Sequence, residues 1–454
     1  MSTGTPPVSA PVPAPGRRRR RVPARLVRLG GWLAAGVLLT VLTSTAEGTS
    51  TDHLLVLRQS LGSPALIGWL AAATAVWALL EVSRARDLGR RLARHTAGVR
   101  AGWRRITGRR RYQRLFLLAA AVAAIVLPRF AGEFYQRVLV DQVAVFVLLA
   151  VGLNVVVGWA GLLDLGYVAF FAIGAYTCAF FTRALPVKPP FALNPFVVLP
   201  IAVAVCLVAG LLLGAPTLRL RGDYLAIVTL GFHEIVQLFL VNKDAWTGGN
   251  QGAGGIPHFS VHLDGVHYEW GLDSLPYWYL FIGMLAVVLF LFSRLEHSKV
   301  GRAWTAVRED EVAAAATGVP TVRYKLMAFA IGASVSGLSG VLYASRIGYI
   351  NPASFPVVLS ISVLSYVIFG GMGSLIGVVV GAALLTFLPA VFQERELVRQ
   401  EDIPIWIGGI LVVMMIFRSQ GLIPSRRRRR ELGLAAQGIA DADAMSESPE
   451  GRSP

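Results

Sequence analysis

Cysteine is nearly missing from this 454-residue chain: Cys178 and Cys206 are its two, both in apolar stretches and without ligand spacing. That excludes a disulfide framework and a cysteine-based metal site, and leaves both as helix-packing residues. Charge is scarce as well, at 15% of residues against about a quarter in a soluble domain. It is also lopsided, with 43 Lys and Arg to 26 Asp and Glu. G-x-x-x-x-G-K-[ST], H-E-x-x-H and G-x-S-x-G do not occur, and the seven histidines are scattered. The chain therefore carries no phosphate-loop ATP site, and nothing in it supports a metal centre or an enzyme. It is read as a non-enzyme with no bound cofactor.

What is present is oil. Hydrophobic residues make up 55% of the chain and the mean hydropathy is +0.59. Apolar runs long enough to cross about 30 Å of hydrocarbon are expected at 29–45, 64–81, 115–132, 138–159, 162–182, 195–215, 223–241, 277–293, 326–347, 356–371, 373–392 and 403–419. The fold class is an all-α polytopic membrane protein, with about ten core transmembrane helices after an N-terminal two-helix accessory hairpin. Five regions follow: a disordered basic, Pro-rich leader (1–28), the hairpin (29–81), an Arg-rich cytoplasmic linker (82–114), the core (115–424) and a disordered tail (425–454). No cleavable signal peptide is evident, because a long basic leader precedes the first span.

The formal charge of +17 does not point to nucleic acid. Its arginines sit in blocks beside spans, at Arg17–Arg21, across 84–114 and at Arg426–Arg430, where cytoplasmic charge and anionic lipid place them. With both termini inside, 82–114, 294–325 and the tail fall on the cytoplasmic side. The loop 242–276, with one lysine against four acids, falls outside.

Glycines cluster in "GLNVVVGWAGLLDLG" and in "VIFGGMGSLIGVVVGAALL", where they either let helices approach closely or permit breaks in them. Glu234, midway along its span, is either a pathway or interface residue or a buried acid that holds helices in register. Asp164 lies at a junction between spans. "TGGNQGAGGIP", Thr247–Pro257, is a run of turn formers suited to an ordered outer loop. The polar interval Gly301–Pro320 reads as a small capped helical element, with high helix propensity at Ala313–Ala316, acids favouring its N-terminal turn and Gly318 plus Pro320 as its stop.

From about Leu115 to Ile423 these motifs, in this order, resemble the permease subunits of branched-chain amino acid ABC importers, specifically the longer of two paired permeases. Residues 152–176, 218–242, 247–257 and 298–333 carry the resemblance. It implies a plasma-membrane machine in which a second homologous permease completes the path and two cytoplasmic ABC ATPases use the ATP. An extracytoplasmic solute-binding protein delivers the solute. The family's cytoplasmic contact motif falls on Gly301, Arg302, Arg308, Glu311, Ala313 and Gly318, and Glu309 and Ala314 beside it complete the candidate ATPase-coupling residues. Its loop motif falls on Thr247, Gly248, Gly249 and Gly252 and its intramembrane glutamate on Glu234; Asn154, Gly161, Asp164, Gly166 and Asn250 are further candidates for the path or the outer loop. Asp164, Tyr167, Asn250, Gln251 and Ala253 depart from the usual residues, which leaves open a small polar solute other than leucine, isoleucine or valine. The rival class is an ion-coupled secondary transporter with Glu234 and Asp164 as ion sites. A basic membrane scaffold is the third.

Overall fold

Long apolar runs in a solvent without hydrogen-bonding partners must satisfy their backbone internally, and helices do so. The computed structural model describes residues 124–130, 132–217, 223–263, 266–394, 402–417 and 421–423. The accessory hairpin, the Arg-rich linker, the leader and most of the tail lie outside the described residues. Among the described residues seven helices are long and apolar enough to cross a membrane, and two shorter apolar ones accompany them. In chain order the membrane helices are α1 (Glu133–Trp159), α2 (Tyr167–Phe181), α3 (Pro195–Thr217), α4 (Asp223–Asn242) and α5 (Ser274–Glu296). Two short helices follow, α6 (Lys299–Glu309) and α7 (Glu311–Ala316), and then α8 (Thr321–Ile347), α9 (Val357–Gly370), α10 (Leu375–Glu394) and α11 (Ile403–Phe417).

The expected span 115–132 lies largely outside the described residues, and among those described most expected spans meet their helices to within a few residues. The exception is 162–182, which does not become helical until Tyr167. Asp164 takes the Gly166 amide at 2.9 Å, a local side-chain bond that competes with helix formation, so residues 160–166 form a turn. The fold is also not purely helical. The loops add two small antiparallel ladders, β1 (Ala253–Gly254) with β4 (Tyr349–Ile350) and β2 (Ser260–Leu263) with β3 (Val266–Glu269).

The core forms where small residues allow backbones to meet. The buried face of α8 carries Gly332, Ala333, Ser336, Gly337, Gly340 and Ala344. A side chain on Gly174 of α2 would lie 2.5 Å from the Gly337 Cα, and one on Gly340 would lie 2.6 Å from the Ala175 amide nitrogen. This is the close packing that glycine permits when lipid supplies no hydrophobic drive. α1 contains two π-helical segments, Leu139–Ala144 and Asn154–Trp159. At the C-terminal end of α8, Arg346 bonds Asp141 in the first of them at 2.8 Å, the Leu272 carbonyl at 2.7 Å and the Ser274 hydroxyl at 3.0 Å.

Candidate coupling site and its seat in the membrane core

The interval 301–320 is built from its caps inward. Ser298 opens α6, its Oγ accepting from the Val300 and Gly301 amides at 3.1 and 3.4 Å. Gly301 leaves no room for a side chain, since a Cβ would lie 2.6 Å from the Leu295 carbonyl oxygen. Ala303, Trp304 and Val307 form the buried face. Trp304 is fully enclosed. It stacks on Trp159 with ring centres 6.0 Å apart and donates from Nε1 to the Tyr324 carbonyl at 2.7 Å.

The element is two helices rather than one. Asp310 adopts an extended backbone (φ −155°) and its Oδ1 accepts from the Val312 and Ala313 amides at 2.8 and 3.0 Å. A mid-segment aspartate thus acts as an N-cap, satisfying two amides that a helix start leaves free. Glu311 falls in the first turn of α7, as the dipole favours. Glu309 instead closes α6, at the end where the dipole does not favour it. Gly318 ends α7 at φ 84°, with the Val319 amide reaching back to the Ala314 carbonyl at 3.0 Å, the bonding of a glycine-terminated helix.

The faces of α7 divide sharply. Ala314 is buried, while Val312, Ala313, Ala315 and Ala316 are exposed. Glu311 pairs with Lys325 at the foot of α8 at 2.5 Å, and the Lys325 side chain is only 5% exposed. Arg302 stays exposed and donates to the His297 carbonyl at 3.4 Å.

Arg308 runs the other way. Its Nη1 donates to the Gly158 carbonyl, near the end of the second π segment of α1. Around that carbonyl, Asn154 Oδ1 accepts the Gly373 amide at 2.8 Å and Trp159 Nε1 approaches the Gly373 carbonyl at 3.4 Å. Gly373 sits at φ 83° in the turn between α9 and α10. A Cβ on Gly161 would meet the Arg308 Cγ at 2.7 Å. Of the expected path residues, Asn154 and Gly161 therefore lie beside Arg308 of α6, with Asn154 fully buried.

Asp164 and Gly166 gather elsewhere, against α4. The Leu165 amide donates to Thr229 Oγ1 at 3.1 Å. Burial raises the Asp164 carboxyl from 3.8 to about 7, offset in part by the Gly166 amide and the Thr229 hydroxyl. Its Oδ2 is buried without a partner, as are both ring nitrogens of His233, one turn along α4 from Thr229. Glu234 is exposed, on a face that carries Ile227, Ile235, Leu238 and Phe239, so the burial expected of a register-holding acid is not found. In the outer loop Thr247 is buried, its hydroxyl donating to the Leu240 and Lys243 carbonyls at 2.7 and 2.9 Å. Thr247 thereby fixes the Gly248–Gly249 turn, and Asn250 remains on the surface.

Sequence reasoning overlooked Trp304, Lys325 and Gly373. Signals for them existed: a lone tryptophan in a polar interval, and a lysine one residue before an expected span. Gly373 was noticed only as part of a glycine cluster.

Residues 137–418 match the family described as the permease component of branched-chain amino acid transport systems. The chain belongs to that family. It is 38% identical over 384 residues to the high-affinity branched-chain amino acid transport system permease protein LivM of Salmonella typhimurium strain LT2, covering 80% of this chain and 87% of that one. Against the LivM of Escherichia coli strain K12 it is 40% identical over 340 residues, 70% and 77% of the two chains. Against the LivH permease of the same strain it is 29% identical over 136 residues, 30% and 42% of the two. No solved structure matches. The permease is thus of the ABC-importer type and not an ion-coupled carrier. Its family is one of transport proteins rather than enzymes. Among the described residues no group of His, Cys, Asp and Glu is placed to hold a metal ion.

Proposed function

We propose that this permease forms half of a translocation path for branched-chain amino acids or a related small polar solute, and that α7 seats on a cytoplasmic ATPase that drives it. The observation that carries the reading is the outward face of α7. A helix stiffened at both ends offers Val312, Ala313, Ala315 and Ala316, side chains small enough for a partner to reach the backbone, while Ala314 and Glu311 hold the opposite face to the membrane core. Likeness to both LivM and LivH supports a paired permease. The exposed, mostly apolar face of α4 around Glu234 suits that partner or the path, because an acid does not face lipid without cost, about 3 kcal/mol at a helix centre. Both termini lie inside, and the loop Thr247–Asn250 lies outside, under a solute-binding protein. The residues at Asp164, Tyr167 and Asn250 leave the solute itself open within the class.

Ala315→Arg tests the docking. The variant permease inserts normally and α7 stays capped, but its ATPases no longer co-purify and ATP-driven uptake is lost. Full recovery of both ATPases with unchanged uptake would falsify the assignment. Alanine 314 is the wrong position for this test, because its side chain packs inside the permease.

A further inference from the structure

Arg308 reaches from α6 into the membrane core, its Nη1 donating to the Gly158 carbonyl of α1. We infer that Arg308 is the positioning residue that carries movement of the α6–α7 pair into the transmembrane helices, by capping the cytoplasmic end of α1 beside the α9–α10 turn. The inference rests on the docking reading above, and it assigns a task within this chain rather than at the ATPase.

Three observations converge on it. A helix leaves its last carbonyls without intrahelical partners. In α1 the Val155 and Val156 carbonyls are taken by Ala160 and Leu162, and Gly158's is taken by Arg308, a cation at a helix C-terminus where the dipole favours one. Next, the Gly158 position is shared. A side chain there would lie 2.6 Å from the Gly373 amide nitrogen, and the Gly373 turn is bonded to Asn154 and Trp159 of the same π segment. One guanidinium therefore sits over two breaks in the membrane helices, with Nη1 3.3 Å from where a Cβ on Gly373 would be. Last, α6 is bound to the same place by the Trp304–Trp159 stack, so the helix and its arginine move with α1 as one body. Charge-assisted bonds are directional and short, which suits a contact that must transmit displacement in both directions.

The test uses the complete importer purified with its ATPases, with Ser374→Cys as a reporter beside the Gly373 turn. Cys178 and Cys206 are buried and give a slow background. In the otherwise native permease, the rate of reaction of this cysteine with a charged maleimide changes severalfold between the nucleotide-free and vanadate-trapped states. In Arg308→Ala the ATPases still co-purify and hydrolyse ATP, but the rate no longer responds to trapping. Arg308→Lys, which keeps a cationic donor, restores part of the response. An unchanged response in Arg308→Ala overturns the inference. Loss of the ATPases from Arg308→Ala also overturns it, since the residue would then act in docking. If Ala315→Arg keeps its ATPases, the docking reading fails first, whatever Arg308 does.

Discussion

Replacing Gly174 with alanine adds one methyl group to the close crossing of α2 and α8. That methyl would sit 2.5 Å from the Gly337 Cα, whereas carbon pairs rest about 3.5–4.0 Å apart. Helices α2 and α8 must therefore part by about 1 Å, and backbone on the far side gives no rotamer to relieve the strain. Overpacking of this kind costs about 1–3 kcal/mol. Alanine's better helix propensity returns about 1 kcal/mol, leaving a net loss of up to about 2 kcal/mol. Gly231 and Gly283 serve as controls, because a Cβ at either meets nothing within 4 Å, so alanine there is neutral or slightly stabilising. Thermal unfolding of the purified permease in mild detergent, followed by size-exclusion chromatography, reads all three. Gly174→Ala melts below the parent and both controls melt at or above it. A Gly174→Ala protein as stable as its parent would refute the close approach of α2 and α8.

Three further outcomes are expected. Gly231→Leu leaves the isolated permease intact but prevents recovery of the second permease in pull-downs, because it adds bulk to the open α4 face beside Glu234; unchanged assembly removes that face from the interface. Asp164→Asn keeps the acceptor for Gly166 and removes a carboxyl whose folded value is raised to about 7 from 3.8. In the parent, that raised value costs nothing below about pH 4, costs more as pH rises towards 7 and stays constant above it. The variant's gain in melting temperature is therefore larger at pH 8 than at pH 5, and a gain that shrinks with rising pH contradicts the burial of this group. Glu311→Gln strands the buried Lys325 and lowers stability more than Lys325→Met, which removes the charge altogether; equal effects would mean the pair is not buried in solution.

What could be read from the residues followed the range of the forces involved. Spans were legible because backbone satisfaction in lipid depends on a continuous apolar run, a purely local property. The stop at Gly318 was legible for the same reason, since the left-handed turn is made by neighbours in sequence. Asp310 was read as one of several acids in a helical turn, yet its bond to two amides splits the element. Both outcomes are local, and only geometry chose between them. Arg308 was read as part of the coupling motif, but its bond to Gly158 spans 150 positions and had no trace in the sequence. Glu234 marks the opposite limit. Its exposure fits the neighbour proposed above, which the sequence does not contain.

The two anchors of α8 have a mechanical consequence. Its 27 residues make a rod of about 40 Å at 1.5 Å per residue. Arg346 holds the outer end to α1 and α5, and the Lys325–Glu311 pair fastens the inner end to the helix proposed to meet the ATPase. A rod pivoted at one end and pushed at the other tilts instead of sliding. A 2 Å thrust at the foot becomes a rotation of about 3° over that length, with the largest displacement in the inner leaflet and almost none at the outer face. In such a lever the outer loops stay still as a landing platform while the cytoplasmic half of the path opens and closes beneath them.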